Sequence, residues 1–205
     1  MNVNGRALLY NDACTSAWCA QPHDTFTAGG ILMDVVFDTE FSGTEKTKGR
    51  RHLISIGCVA QDGREFYAEL TDSWDESLCS LFTIQTVLPL LQGGECEMGV
   101  EELAVRLKSW IEELTDAQVT FRSDAPSYDW PFVQEIFDIH GWPTNLRREC
   151  LPVCAFESDT ERFRYNAATA DFWRSSKAAG AVQHHALWDA RCIRFAHRYS
   201  LRMRN

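Results

Sequence analysis

The run ILMDVVFDTEF, residues 31–41, constrains the fold of this chain most strongly. Its density of β-branched and aromatic residues predicts a buried strand. Two further strand-like runs follow, HLISIGCVA and REFYAEL, and the turn pair Asp62-Gly63 between them favours a tight hairpin. The folded part of the chain is therefore expected to begin with three antiparallel strands.

Helical and strand-like segments alternate after these strands. Helices are predicted for LFTIQTVLPLL, GVEELAVRLKSWIEEL, DWPFVQEIFDIHG, part of DTERFRYNAATADFWRSSK, and HALWDARCIRFAHRYSLRMR. Short strands are predicted for QVTFR and ECLPVCAF. This order predicts an α/β fold with a mixed five-stranded sheet, in which three antiparallel strands are followed by parallel strands and flanked by helices.

The 205 residues suit one α/β domain with an extension. Residues 1–30 show no clear period, and we expect a loosely ordered N-terminal extension before a single domain at residues 31–205. The start MNVNGRALLY lacks the features of a secretory signal, and the apolar run GILMDVVF, which Asp34 interrupts, is too short to span a bilayer. These features predict a cytoplasmic protein with reduced cysteines and no membrane partner.

The net charge of −9 argues against charge-driven adhesion to duplex nucleic acid or to an anionic membrane. It leaves room for a small nucleic-acid site, because carboxylates that hold metal ions are neutralised once the ions bind. A zinc site at Cys14, Cys19 and His23, or at Cys150 and Cys154, is a weak alternative, because neither set has the paired spacing of a structural zinc site.

Asp38 and Glu40 lie on the same face of the first predicted strand, about 6.6 Å apart along the chain. Two neighbouring acids on a buried strand repel each other and are costly to desolvate. A divalent cation would make the pair favourable. The alternative is an exposed strand end with solvated acids.

Two later motifs carry further carboxylates. Asp129 follows the strand QVTFR near the start of a helix, where an aspartate also serves as an N-cap, and Asp124 just before it suits a turn. In HHALWDAR, His184 and His185 precede Asp189 by five and four positions. For this motif, the alternative to a functional site is a histidine pair at a helix N-terminus with a surface aspartate.

Together the three motifs resemble the DEDDh branch of the DEDD superfamily of 3′–5′ exonucleases, whose members include oligoribonuclease and ribonuclease T and have a ribonuclease-H-like sheet. The shared order is Asp-x-Glu on the first strand, Asp after a later strand, and His-x4-Asp on the last helix. The stretch VVFDTEFSG with HLISIGCVAQDGREFYAEL is most similar to the bacterial 3′–5′ exoribonuclease domain first recognised in mycobacteria. The resemblance covers roughly residues 32–200.

The resemblance implies two divalent cations, Mg²⁺ or Mn²⁺, as cofactors, and a two-metal-ion hydrolysis that releases nucleoside 5′-monophosphates. The implied metal ligands are Asp38, Glu40, Asp129 and Asp189. His184 is the implied general base, because the family spacing of four intervening residues selects it over His185, which would begin the helix.

The implied substrate is single-stranded or 3′-overhang RNA, contacted by Phe41, Ser42 and His184, with Phe41 as a stacking platform. Four basic residues of the following loop are candidates for phosphate contacts, with a solvated loop as the alternative: Lys46, Lys48, Arg50 and Arg51. A DNA 3′–5′ exonuclease with the same site, and a catalytically silent nucleic-acid-binding module, remain alternative functions.

A homodimer is expected, because relatives in this branch are often homodimers. The final helix carries a basic cluster, and RFRYNAATADFWRSSK adds aromatic residues; both would suit a subunit interface or an RNA groove. A solvated helix end on a monomer is the alternative. The arginines of this cluster are Arg191, Arg194, Arg198, Arg202 and Arg204.

Overall fold

A computed structural model describes residues 32–43 and 49–202, with side chains up to residue 200. The predicted N-terminal extension, residues 1–30, lies outside the described residues. The strands are β1 Met33–Phe41, β2 Leu53–Ala60, β3 Glu65–Leu70, β4 Glu97–Met98, β5 Val119–Ser123 and β6 Leu146–Pro152. The helices are α1 Val100–Leu114, α2 Pro126–His140, α3 Asp159–Ser176 and α4 Ala186–Arg202. Over the described ranges, no helix is long and apolar enough to pass through a membrane.

The strands form one mixed sheet in the order β4-β3-β2-β1-β5-β6. β1, β2 and β3 are antiparallel, whereas β5 and β6 continue the sheet in parallel beside β1. The predicted fold class is confirmed, but the described sheet has six strands rather than five. The additional strand is β4, whose two residues pair in parallel with Glu69 and Leu70 and are too few to produce a sequence pattern.

Two helix predictions differ from the structure. LFTIQTVLPLL is not a regular α-helix: it forms a π-helical turn at Thr83–Val87 and a 3₁₀ turn at Leu88–Leu90. Helix α2 begins earlier than predicted, so Pro131 lies inside it. Because proline has no N–H, the Ser127 carbonyl four residues earlier lacks its helical donor, and Nη2 of Arg51 donates to it at 3.3 Å.

Alternate residues of β1 face two different helical layers. Val35 and Phe37 join the larger hydrophobic core, against α1 and α2. Val36 joins the smaller core, against α3 and α4. Because strand side chains alternate, Asp38 and Glu40 lie on the same face as Val36 and therefore beside α4.

A glycine in β2 lets α4 lie directly on the sheet. Gly57 pairs with Asp38 of β1 on one side and with Tyr67 of β3 on the other. A Cβ at this position would lie 2.3 Å from the backbone nitrogen of Leu187 and 2.4 Å from the carbonyl carbon of Ala186. The missing side chain therefore brings the N-terminus of α4 against the row of residues that contains Asp38.

We predict that Gly57→Ala lowers the midpoint of thermal unfolding and weakens the binding of the divalent cations that the family resemblance implies. The added methyl group must displace the backbone at the start of α4, and overpacking of this kind costs about 1–3 kcal/mol. Cys58→Ala is the matched control, because it alters the next buried residue of the same strand on the opposite face. Thermal unfolding with and without Mg²⁺ provides the measurement. An unchanged metal response in Gly57→Ala would contradict the prediction.

Candidate active site

Asp38, Glu40 and Asp189 form one group of three carboxylates. Each places an oxygen within 4.8 Å of the others, a spacing that can hold a metal ion. The first two residues reach this position by strand alternation, and the third because α4 packs against Gly57. The structure therefore brings together residues from the first strand and the last helix, as the sequence motifs predict.

A second group of three carboxylates shares Asp38 and adds Asp124 and Asp129, again within 4.8 Å of one another. Val36 pairs with Arg122 in the parallel register of β1 and β5, so two residues further on, Asp38 comes beside Asp124. From the sequence alone, Asp124 is expected to be a turn residue. Its position in the group depends on this strand register, which no local pattern of the sequence reveals.

The orientation of Asp129 is fixed by two buried hydroxyl groups. Oγ1 of Thr39 donates to Oδ1 at 2.7 Å, and Oγ of Ser123 donates to Oδ2. Asp129 is 2% exposed and lies in the first turn of α2, whose N-cap is Ala125. The capping alternative is therefore wrong. Neither hydroxyl group is predictable from the sequence, because Thr39 and Ser123 lie at no distinctive spacing from Asp129.

Burial is the main reason that the carboxyl groups of this cluster have raised pKa values. It raises the pKa of Glu40 to about 8, with further contributions from Asp189 and Asp129. Burial also raises the pKa of Asp189 to about 7, and that of Asp129 to about 6 against the lowering effect of its two hydroxyl donors. The pKa of Asp38 is raised well above its ordinary value, first by burial and then by the surrounding carboxylates.

The chemistry of the two groups suits hard divalent cations. Every donor in them is a carboxylate oxygen, the ligand that Mg²⁺ and Mn²⁺ prefer, and a cation would offset the burial and the repulsion that raise these pKa values. The zinc alternative at Cys14, Cys19 and His23 lies outside the described residues. Cys150 and Cys154 are free cysteines and belong to neither metal-binding group of the described chain.

The two adjacent histidines have different environments. His184 lines a cleft of about 400 Å³ together with the clustered carboxylates, and its ring meets Phe82 edge to face at 5.0 Å. His185 is only 5% exposed, and its carbonyl accepts the first intrahelical hydrogen bond of α4 from the Asp189 amide at 3.0 Å. Of the pair, His184 is the histidine that lines the cleft.

Aromatic side chains form one wall of the cleft. Phe41 and Tyr128 stack at a centroid distance of 6.4 Å, and the Arg51 guanidinium lies over both rings at 5.3 and 4.9 Å. Phe82, which sequence analysis did not single out, also lines the cleft and is 54% exposed. Ser42 is fully buried and its Oγ accepts a hydrogen bond from the His52 amide, so its side chain does not line the cleft.

Several basic side chains of the sequence analysis are used within the chain. Arg191 forms a bidentate ion pair with Glu65 at 2.6 and 2.7 Å, and Arg194 donates to the Gln61 carbonyl at 2.8 Å. Arg198 is exposed. The side chains of Lys46, Lys48, Arg202 and Arg204 lie outside the described residues.

The fold is shared with solved structures of exonuclease I. Escherichia coli exonuclease I in complex with a 5cy-dT13 oligonucleotide aligns with a TM-score of 0.52 and 12% identity, over 85% of this chain and 41% of that chain. The zinc-bound E. coli enzyme with single-stranded DNA and the moderately thermophilic exonuclease I of Methylocaldum szegediense each give 0.51 and 12%, with the same coverage. The chain thus spans less than half of these proteins, and the likeness establishes the fold alone. No protein-family profile and no curated protein sequence matches the chain.

We predict that the metal-free protein loses stability as the pH rises from about 5 to 8. Between the ordinary Glu40 pKa of 4.5 and its folded value of about 8, the folded state keeps a proton that the unfolded state has released. The folded state then binds more protons, so a higher pH favours unfolding. Mg²⁺ should restore stability at about pH 8 and have little effect at about pH 5, because it competes with protons for the same oxygens.

Thermal unfolding of wild type and Glu40→Gln across this pH range tests the prediction. The variant cannot release the proton, so its metal-free stability should fall less with rising pH. Equal slopes for the two proteins would show that Glu40 does not carry the effect.

Proposed function

We propose that this chain is a metal-dependent 3′–5′ exonuclease that acts on single strands, with RNA as the substrate that the sequence resemblance favours. One observation carries the proposal: two carboxylate groups that share Asp38 meet His184 in a single cleft. The resemblance of the three motifs to DEDDh enzymes and the shared fold of exonuclease I support it.

The two carboxylate groups suggest how the five acids would share two cations. Glu40 and Asp189 would hold one divalent cation, Asp129 and Asp124 the other, and Asp38 would contact both. When bound, such cations clamp the attacking and leaving oxygens of a phosphodiester and lower the pKa of a bound water. The hydroxyl donors from β1 and β5 keep the Asp129 carboxylate oriented toward this position.

The remaining residues of the cleft act on water and on the substrate bases. His184 accepts a proton from the attacking water as an oxygen–phosphorus bond forms and the bond to the 3′ oxygen of the preceding nucleotide breaks. The product is a nucleoside 5′-monophosphate. Phe41 and Tyr128 present ring surfaces on which a base can stack, a contact worth about 1–3 kcal/mol per base.

DNA is the second candidate substrate. Solved structures of exonuclease I that share this fold contain single-stranded DNA oligonucleotides. The difference between RNA and DNA depends on contacts with the 2′-hydroxyl group. A catalytically silent nucleic-acid-binding module is disfavoured, because binding alone does not require a cluster of carboxylates that repel phosphates.

Digestion of matched RNA and DNA oligonucleotides, labelled at either end, tests the function with and without Mg²⁺. A 3′ label should appear first as a mononucleotide, whereas 5′-labelled strands should shorten progressively. Faster digestion of RNA would support the proposed substrate, and faster digestion of DNA would replace it. Internal cleavage, 5′–3′ shortening or metal-independent hydrolysis would overturn the exonuclease assignment.

We predict that replacing each of the four carboxylates of the motifs by alanine abolishes hydrolysis while the fold is retained. Removal of Asp38 or Glu40 should also raise the metal-free unfolding temperature, because it relieves repulsion in the cluster. Asp129→Ala should not, because it leaves the buried hydroxyl groups of Thr39 and Ser123 without their acceptor. Asp116→Ala, at an exposed position outside the cluster, is the control and should keep normal turnover. A variant with near-normal turnover would remove its residue from the site. The tested variants are Asp38→Ala, Glu40→Ala, Asp129→Ala and Asp189→Ala.

We predict that His184→Ala lowers kcat by about 10²–10⁴-fold, the usual effect of removing a general base, with metal binding preserved. The loss should exceed that in His185→Ala, since only His184 lines the cleft. Single-turnover kinetics at saturating Mg²⁺ measure both variants. A larger loss in His185→Ala would show that the general base is not His184.

We also propose a homodimer, on the basis of the resemblance. In the described part of the chain, Arg198 of α4 and Phe163 of α3, which is 73% exposed, remain available for an interface. Light scattering should give about twice the chain mass of 23.4 kDa. A mass equal to that of one chain at micromolar concentration would exclude the dimer.

A further inference from the structure

His184 has a backbone conformation that side-chain-bearing residues rarely adopt. Its φ is +65°, and it is the one non-glycine residue with positive φ in the described chain. This left-handed region brings Cβ close to the backbone and is unfavourable for residues other than glycine. The surrounding structure must therefore hold His184 in place, and strain of this kind is typical of functional positions.

The residue that follows is anchored in the interior. The ring of His185 stacks on Tyr67 at a centroid distance of 4.6 Å and an interplanar angle of 20°. The side-chain amide of Gln92 donates to its Nε2 at 2.8 Å. With 5% exposure, the His185 ring has little freedom to leave this position. The peptide between the two histidines is consequently fixed from the His185 side.

The anchor is itself held by a buried carboxylate. Glu69 is 3% exposed and accepts three hydrogen bonds. The donors are the Tyr67 hydroxyl at 2.7 Å, the backbone N–H of Gln92 at 2.6 Å and the backbone N–H of Gly93 at 2.8 Å. Three donors to one carboxylate fix the side chain of Tyr67 and the backbone of Gln92, the two residues that contact His185. We name the set Glu69, Tyr67, Gln92 and His185 the histidine clamp.

The clamp adjoins the carboxylate cluster through the sheet. Tyr67 pairs with Gly57, which pairs with Asp38, so the three residues form one row across β3, β2 and β1. The start of α4 lies over the central glycine of this row. The clamp therefore holds the residue that directly precedes α4, while Asp189, in the first turn of the helix, lies beside Asp38.

We propose that His185 is a positioning residue, and that the histidine clamp imposes the left-handed backbone of His184 and directs its ring into the cleft against Phe82. The proposal rests on the proposed nuclease function of the same site and assigns a role to four residues outside its catalytic set. His185 acts through His184 and contacts neither substrate nor metal. Loss of the clamp lets His184 relax to other conformations, so the catalytically competent fraction falls.

Kinetics of a double-mutant cycle test this role. If the competent fraction of His184 falls to one tenth, His185→Ala lowers kcat about 10-fold, with KM and the Mg²⁺ concentration for half-maximal activity unchanged. His185→Phe keeps the stack on Tyr67 and should recover part of the loss. In the His184→Ala background, His185→Ala should have no further effect. An equal loss in both backgrounds, or a loss expressed in KM alone, would overturn the proposal.

Nuclear magnetic resonance of ¹³C-labelled histidine gives a second test that does not depend on activity. The His184 ring signal, assigned from His184→Ala, should be displaced by the Phe82 ring and should move when Phe82 is replaced by alanine. In His185→Ala it should move toward its position in Phe82→Ala. A His184 signal that is unchanged in His185→Ala would overturn the clamp.

Ile111→Val is the matched control for lost stability, because it creates a small cavity in the α1 core on the opposite side of the sheet. It should leave both kcat and the His184 signal unchanged. If wild type shows no metal-dependent hydrolysis, the proposed function is wrong. The position of the His184 signal then decides by itself whether the histidine clamp positions the His184 ring.

Discussion

The burial of carboxylates that repel one another is the constraint on which the rest of this structure depends. Asp38 lies at the centre of the cluster, and every neighbouring acid raises its pKa further after burial has done so. Free side chains would turn toward water to escape this cost, so they must be held by elements that cannot move separately. The hydrophobic cores on both faces of the sheet supply that rigidity. The electrostatic free energy stored in the cluster is then available to bind cations.

A single missing side chain controls how this cluster is assembled. Gly57 leaves a gap between Asp38 and Tyr67, and the start of α4 occupies it. The same contact brings Asp189 to the other carboxylates and His185 to Tyr67. One packing event thus positions both the carboxylate of Asp189 and the residues at the start of α4.

Local sequence patterns predicted the parts of the site that depend on one element. Strand alternation placed Asp38 and Glu40 on one face, and helical periodicity predicted the helix that the structure shows as α1. Other parts depend on elements meeting in space. Asp124 joins the cluster through the parallel register of β1 and β5, and Thr39 reaches a carboxylate 90 residues away. Arg191, expected at an interface, instead pairs with a glutamate 126 residues earlier. The spacing of residues along the chain does not predict these long-range contacts.

The charge of the cleft determines how a nucleic acid can approach it. An anionic strand would be repelled by the carboxylates, and Arg51, which does not itself line the cleft, lies over the rings of Phe41 and Tyr128. The contact with Arg51 stiffens the rings of Phe41 and Tyr128. Stacking of bases on aromatic rings is then the attraction between cleft and strand that does not depend on charge. Phosphate groups become favourable partners only when divalent cations neutralise the cluster. In the proposed function, binding of the strand and binding of the cations would therefore be linked, and each would raise the affinity of the other by the same factor.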